Sequence, residues 1–307
     1  MQSKYKHTVF APVLVIVIFI LVFAVKYLPD DVVGMDDNPY LAVVVMQLLT
    51  YGIPALFYSR IRGKELKQGL RLKLFRPSQI LFLLQAVVFL ISGTVLISML
   101  MYRIAPNAFE ASSLVESASF AINSRLFDGI YLVVAFGFLP AITEEFVFRG
   151  IIIGEYQNDG TWIAGLISAA MFAFIHFSFV RFPVYFFAGL ILACVTYTTR
   201  SVIAPIIVHA ANNIFVLFCE QYVLNVVDKE SVSLTLFIII VGALALVSLM
   251  SMLFEANNIY HTYSRNNVET DYIPARRKGR LERGVKAFFS PTFLLLVILF
   301  IVACLAK

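Results

Sequence analysis

Residues 234–250 read LTLFIIIVGALALVSLM, seventeen positions without a charged side chain and apolar on every side of a helix drawn through them. A helix needs roughly 20 such residues to cross the hydrocarbon core of a bilayer. A strand of a membrane barrel would instead alternate apolar and polar over about 10 residues, which neither this run nor AFGFLPA at 135–141 does. Hydrocarbon offers the backbone no water, so the segment must satisfy its own N–H and C=O groups as a helix. Apolar stretches of the same kind occur at about 8–25, 40–58, 80–102, 126–142, 161–177, 183–199, 201–219, 232–254 and 288–306. The expected architecture is an all-α, polytopic membrane bundle of about nine crossings, with eight as the alternative count. The turns at Arg181 and Phe182 and at Arg200 leave almost no loop between helices.

Composition agrees. Of 307 residues, 60% are hydrophobic and 14% charged, with a mean hydropathy of +0.87; soluble domains carry roughly 25% charge. The longest polar interval is about 33 residues, at 255–287, too short for a soluble domain. The stretch at 8–25 follows Lys4 and Lys6 but exceeds a typical signal core and meets no small-x-small site before YLPDD, so it is read as a crossing. Cys194, Cys219 and Cys304 lie in separate apolar stretches without ligand spacing and read as small hydrophobes.

The net charge of +5 is concentrated. Residues 60–76 hold seven basic side chains and one acid, and residues 276–286 hold six and one. Polybasic segments beside membrane helices point to topology and anionic lipid rather than nucleic acid. With Lys4 and Lys6 inside, alternation puts Asp30, Asp31, Asp36 and Asp37 outside, 60–76 inside, Glu110 and Glu116 outside, the segment after 142 inside, Asp228, Lys229 and Glu230 outside, and 276–286 inside. The expected location is the plasma membrane, with the polar site toward the cytoplasm. Residues 60–76 are also compatible with a short amphipathic helix on the inner surface. The chain divides into membrane helices with a basic loop (1–125), a central core (126–230), and further helices with a second basic loop (231–307).

Polar groups inside hydrocarbon are costly unless they are paired or face a polar cavity, which isolates three groups. In AITEEFVFRG, 141–150, Pro140 can open a helix and Thr143 can cap one, which would place Glu144 and Glu145 in a first turn. Glu145 and Arg149 are four apart, the spacing of an ion pair on one face, whereas Glu144 points about 100° away and is the acid free for chemistry. A purely structural salt-bridge cluster is the alternative. In FAFIHFSF, 172–179, His176 can accept a proton near neutrality, and Phe172, one turn earlier, would shield it from lipid. In IIVHAANNIF, 206–215, His209 and Asn213 share one face of the seventh crossing, while Asn212 points elsewhere and is assigned to packing. A carboxylate, two imidazoles, an amide and a guanidinium are an inventory for activating water and stabilising an oxyanion. Glu144, His176 and His209 could alternatively ligate zinc, although no HExxH is present.

The ordered set Glu144-Glu145-x-x-x-Arg149, Phe172-x-x-x-His176 and His209-x-x-x-Asn213 resembles the CAAX protease and bacteriocin-processing family, the Abi or type II CAAX prenyl endopeptidase family of intramembrane peptidases. The resemblance covers about residues 126–219. It implies that Glu144 is the catalytic carboxylate acting with His176 on the attacking water, that His209 and Asn213 face the oxyanion, and that Glu145 and Arg149 hold the cavity in shape. It also implies a membrane-associated protein or peptide substrate, prenylated in some members. The family has been described both as zinc-type and as metal-independent; without a metal motif, no cofactor is expected, with zinc left open. Bacterial relatives are linked to bacteriocin immunity and membrane signalling, so a nonproteolytic immunity or signalling scaffold is the second reading. A proton-relaying transporter is disfavoured because no internal repeat accompanies the polar block.

The charge distribution makes a direct prediction. Single cysteines introduced at Lys73 and Lys286 in a cysteine-free background should react with an impermeant maleimide only after the cells are opened, and labelling of either site on intact cells would refute the orientation.

Overall fold

The computed structural model describes residues 6–25, 27–28, 39–107, 126–228, 232–268 and 279–306. Lys4, the acidic residues 30–37, Glu110, Glu116, Lys229, Glu230 and the basic residues 276–278 fall outside these. The helices are α1 (Lys6–Val25), α2 (Pro39–Gln47), α3 (Ile53–Gly69), α4 (Ile80–Ile104), α5 (Leu126–Leu132), α6 (Leu139–Glu145), α7 (Ile153–Tyr156), α8 (Thr161–Phe174), α9 (Phe182–Thr199), α10 (Ile203–Asp228), α11 (Val232–Arg265), α12 (Arg280–Phe288) and α13 (Pro291–Leu305). No strand occurs among the described residues. Wider π-helical turns, Leu48–Gly52, Val133–Phe138 and Phe146–Ile152, join α2 to α3, α5 to α6 and α6 to α7.

Every expected apolar stretch contains helix, but the count of nine crossings is not reached. Seven helices among the described residues are long and apolar enough to cross a membrane, and an eighth arises only if α12 and α13, bent by 46°, form one span. The stretch at 161–177 is the exception. It contracts to the 14-residue α8, about 21 Å long against a hydrocarbon core of about 30 Å. Gly160, at φ 121°, breaks the chain before α8, and Phe177, at φ 51°, turns it after α8. Nearly every α8 side chain is buried, so its apolarity serves protein packing instead of lipid contact.

Residues 60–76 also depart from expectation. Helix continues through Gly69, broken at Gly63 with φ 64° and ψ −137°, and an extended strip follows. That strip is tied to the turn between α9 and α10: Val202 N donates to Arg71 O at 3.1 Å, and Ser201 Oγ donates to Lys73 O. Half of the expected surface helix is therefore backbone stitching.

Lipid tails are as apolar as leucine, so no hydrophobic drive brings membrane helices together; close packing and polar contacts do. In this chain α11 runs along α4, α9 packs on α8, α10 packs on α4 and on the 133–138 turn, and α1 packs on α13. Glycines set the closest approaches. A Cβ on Gly189 of α9 would lie 2.7 Å from Ala169 Cα in α8, and one on Gly93 of α4 would lie 2.5 Å from the Phe187 ring. Side chains on the outer face of α11, such as Ile239, Leu246, Val247 and Met250, are exposed, as lipid-facing positions should be.

Gly189 and Gly242 separate packing from propensity. Gly189→Ala must push α8 and α9 apart because its neighbour is backbone, and it should cost about 1–3 kcal/mol. Gly242→Ala meets open space and should be neutral or stabilising by about 0.5–1 kcal/mol. Thermal unfolding in detergent of the two variants measures the contrast, and equal melting temperatures would contradict the packing account.

Candidate active site

The acid pair lies well inside the continuous span Gly129–Asp159, not in a first turn. Pro140 has no N–H to donate and its ring crowds the preceding turn, a combination that usually ends or kinks an α-helix. Here the wider Val133–Phe138 turn precedes it, so the chain continues as helix past the proline. Thr143 accordingly does not cap. Its Oγ1 donates back to Leu139 O at 3.0 Å and accepts from Gln47 Nε2 at 2.8 Å.

Glu145 and Arg149 form the expected pair, at 2.6 Å, with both side chains fully buried. Oε1 of Glu145 also accepts from His209 Nδ1 at 2.8 Å. The other arm of the guanidinium, Nη2 of Arg149, donates to Gly189 O at 3.1 Å, a carbonyl within reach because Gly189 lets α9 come close. Three parts of the fold thus meet at one ion pair: the 129–159 span, α9 and α10. Glu145 Oε2 and Arg149 Nε, by contrast, are buried without a protein partner.

Phe172 is the apolar centre of the cluster. Its ring lies 4.9 Å from that of His176, 5.6 Å from that of His209 and 4.7 Å from the Arg149 guanidinium carbon. It packs against both histidines and the arginine at once. His176 sits two residues beyond the end of α8, in the turn. Its Nδ1 lies 2.8 Å from Phe172 O. A carbonyl only accepts, so Nδ1 carries the proton and Nε2 of the neutral ring presents a lone pair. The same logic holds for His209, whose Nδ1–H faces a carboxylate already bound to Arg149. Its Nε2 donates only when the ring carries both protons.

Glu144 is buried but makes no hydrogen bond or ion pair among the described residues. Its carboxylate lies within electrostatic reach of His209, Glu145, Arg149, Tyr51 and Tyr185. Asn213 stands one turn from His209 and donates to Gly137 O at 3.4 Å. A Cβ at Gly137 would lie 2.9 Å from Ile214, so glycine again permits the approach. Asn212 accepts from Thr94 at 3.3 Å, in keeping with a packing role. Among the described residues no three His, Cys, Asp or Glu side chains are grouped so as to hold a metal ion; Glu144, His176 and His209 do not form a ligand set.

Composition and spacing did not single out two further ion pairs, Arg181 with Glu220 at 2.7 Å, both largely buried, and Arg62 with Glu155 at 2.7 Å, the carboxylate buried and the guanidinium partly exposed. Glu220 and Glu155 are charges in apolar helices, so the test that singled out Glu145 would have found them. Tyr185, whose ring stacks on His176 with centroids 3.7 Å apart, carries no comparable signal.

The shared oxygen of Glu145 predicts a stability defect. Arg149→Ala leaves a buried carboxylate with only His209 and should cost about 3–5 kcal/mol. Arg149→Lys should rescue little, because one ammonium cannot serve Glu145 and Gly189 in the geometry of the guanidinium fork. Unfolding in detergent tests both, and an Arg149→Lys protein as stable as wild type would defeat the bidentate account.

Residues 126–215 match the family model described as type II CAAX prenyl endopeptidase Rce1-like. The chain is 29% identical over 109 residues to the Bacillus subtilis (strain 168) protein named "Putative membrane peptidase YdiL", covering 35% of this chain and 45% of that one. It is 35% identical over 86 residues to the membrane-embedded CAAX protease MroQ of Staphylococcus aureus (strain USA300), covering 26% of this chain and 35% of that one. The matches thus span less than half the length of either relative. No solved structure matches. The residues matched by the family model contain the acid pair, Arg149, Phe172, both histidines and Asn213, and over this segment, less than half of the chain, the protein is similar to type II CAAX prenyl endopeptidases.

Proposed function

We propose that the protein is an intramembrane endopeptidase that hydrolyses a peptide bond in a membrane-associated protein or peptide, using water activated by Glu144 and His176. The observation that carries this reading is the convergence around Phe172 of His176 and of the Glu145, Arg149 and His209 cluster, with Glu144 buried beside it and left free of any ion pair. Both named relatives are peptidases by name.

In this mechanism Nε2 of His176 takes a proton from water as the oxygen attacks the scissile carbonyl carbon, with the Glu144 carboxylate holding the same water. The carbonyl electrons move to oxygen, and Asn213 donates to the resulting oxyanion. His209 stands beside it as a second polar group facing the oxyanion. Collapse breaks the C–N bond, and the proton held by His176 passes to the leaving amine. Glu145 and Arg149 keep His209 and α9 in place. The mechanism is written without a metal step.

The substrate enters from the bilayer, with prenylated proteins as one class, and the site opens toward the cytoplasmic side of the plasma membrane. Anionic headgroups are partners for residues 60–76 and for α12, where Arg283 and Lys286 lie. No nucleic-acid partner is proposed.

Mass spectrometry of peptide ends in membranes holding wild-type or Glu144→Ala protein tests the reading. New ends should appear only with wild type, while Glu144→Ala remains folded. Asn213→Ala should lower turnover by about 10²–10³. Cleavage should persist in a preparation containing far less than one metal ion per protein. Wild-type cleavage by Glu144→Ala would overturn the proposal, and recovery of a dead, metal-free preparation on stoichiometric zinc would overturn its metal-independent form.

A further inference from the structure

The hydrogen bond from His176 Nδ1 to Phe172 O does not by itself fix the imidazole. A hydrogen bond at one ring atom leaves a pivot about the N···O line, along which Nε2 would sweep through an arc. Tyr185, in the first turn of α9, removes that freedom. Its ring lies on the imidazole with centroids 3.7 Å apart and planes 21° apart, so rotation out of plane would drive one ring into the other. Phe172 closes the imidazole in from a second side, tilted at 59°.

Tyr185 is itself held at its far end. Its hydroxyl is hydrogen-bonded to the Arg181 side chain, which must be the donor because guanidinium has no acceptor. Arg181 in turn is paired with Glu220 of α10 at 2.7 Å, both side chains largely buried, and its backbone N–H is held by Ser178 Oγ at 3.1 Å. The turn that carries His176 is pinned independently, with Phe177 at φ 51° and its ring 4.5 Å from that of Phe19 in α1. A largely buried charged pair is costly to assemble, and here its reach ends on a ring that lies flat against His176.

We infer that Tyr185, clamped by the Arg181–Glu220 pair, is a positioning residue that sets the plane of the His176 imidazole and so aims Nε2 at the reacting water. This rests on the peptidase reading for its consequence in turnover, but the stack itself is testable without any activity.

The first measurement is the His176 Cε1–H resonance in detergent-solubilised protein carrying ¹³C-labelled histidine, assigned with His176→Gln. Stacking on Tyr185 should displace it upfield of free imidazole in wild type and in Tyr185→Phe, and the displacement should vanish in Tyr185→Leu. A wild-type resonance at the free position overturns the inference without recourse to any variant. The second measurement is the rate of release of the peptide ends that Glu144→Ala fails to produce. Tyr185→Phe keeps the stack and should stay within about threefold of wild type, while Tyr185→Leu should lose about 10- to 100-fold in kcat with KM within twofold, the scale expected for a misaimed group. Should Tyr185→Leu not fold, Tyr185→Met, which fills similar space without a flat face, is read in the same way. Unchanged kcat in a folded Leu or Met variant, or a defect confined to KM, overturns the positioning role. Wild-type cleavage by His176→Ala would instead sink the peptidase role of His176 while leaving the stack to be judged by its resonance.

Discussion

Oε1 of Glu145 accepts from Arg149 at 2.6 Å and from His209 at 2.8 Å, and neither donor could remain among apolar helices without it. A buried guanidinium needs a counter-charge and hydrogen-bond acceptors, and the second acceptor here is the backbone of Gly189. The pair therefore acts as a fixed point from which α9 and α10 take their positions relative to the 129–159 span. Glu144, the next residue, owes its freedom to the same arrangement. Because its neighbour answers both donors, it sits in a charged neighbourhood without being consumed by it.

The wider bundle follows a similar logic. Apolar surface cannot hold these helices together against a solvent of acyl chains, so the contacts that define the fold are of two kinds. Where Gly93, Gly137 and Gly189 let helices meet, dispersion contacts are dense. Where charges are buried, as in Arg181 with Glu220 and in Glu155 beneath the partly exposed Arg62, separation would leave a buried charge unpaired. The site stands where the two coincide: Gly189 and Gly137 each supply both a close approach and a carbonyl acceptor.

Much of this was legible in the sequence, for physical reasons. Hydrocarbon forces a long apolar run to be helical, so the nine stretches all proved to contain helix, and the high energy of buried charge made Glu145, Arg149 and His209 conspicuous. What escaped was set by geometry that composition does not encode. Pro140 and Thr143 carry the signature of a helix start, yet the π-helical turn ahead of Pro140 absorbs the missing N–H bond and the helix runs on. α8 has the composition of a crossing, but Gly160 and the turn at Phe177 cut it to a core element. Arg181 looked like a hinge residue because its partner, Glu220, is 39 positions away. Tyr185 could not be distinguished from other aromatics until its ring was seen against His176.

The π-helical turns flanking α6 also limit how this segment can vary over evolutionary time. Such a turn holds about one residue more than the α-helix it replaces, so it can give up that residue and leave the helix beyond it near its present bearing, whereas a single-residue deletion within α6 ahead of Glu144 would advance everything downstream by one step, about 100° about the axis. Glu145 would then occupy the bearing that Glu144 has now, Arg149 would leave Gly189, and His209 would face a different side chain. Connecting loops in a protein of this kind can gain or lose residues freely. Within α6 the spacing of the chain decides which side chains meet, and a single-residue deletion there is a more severe lesion than most substitutions.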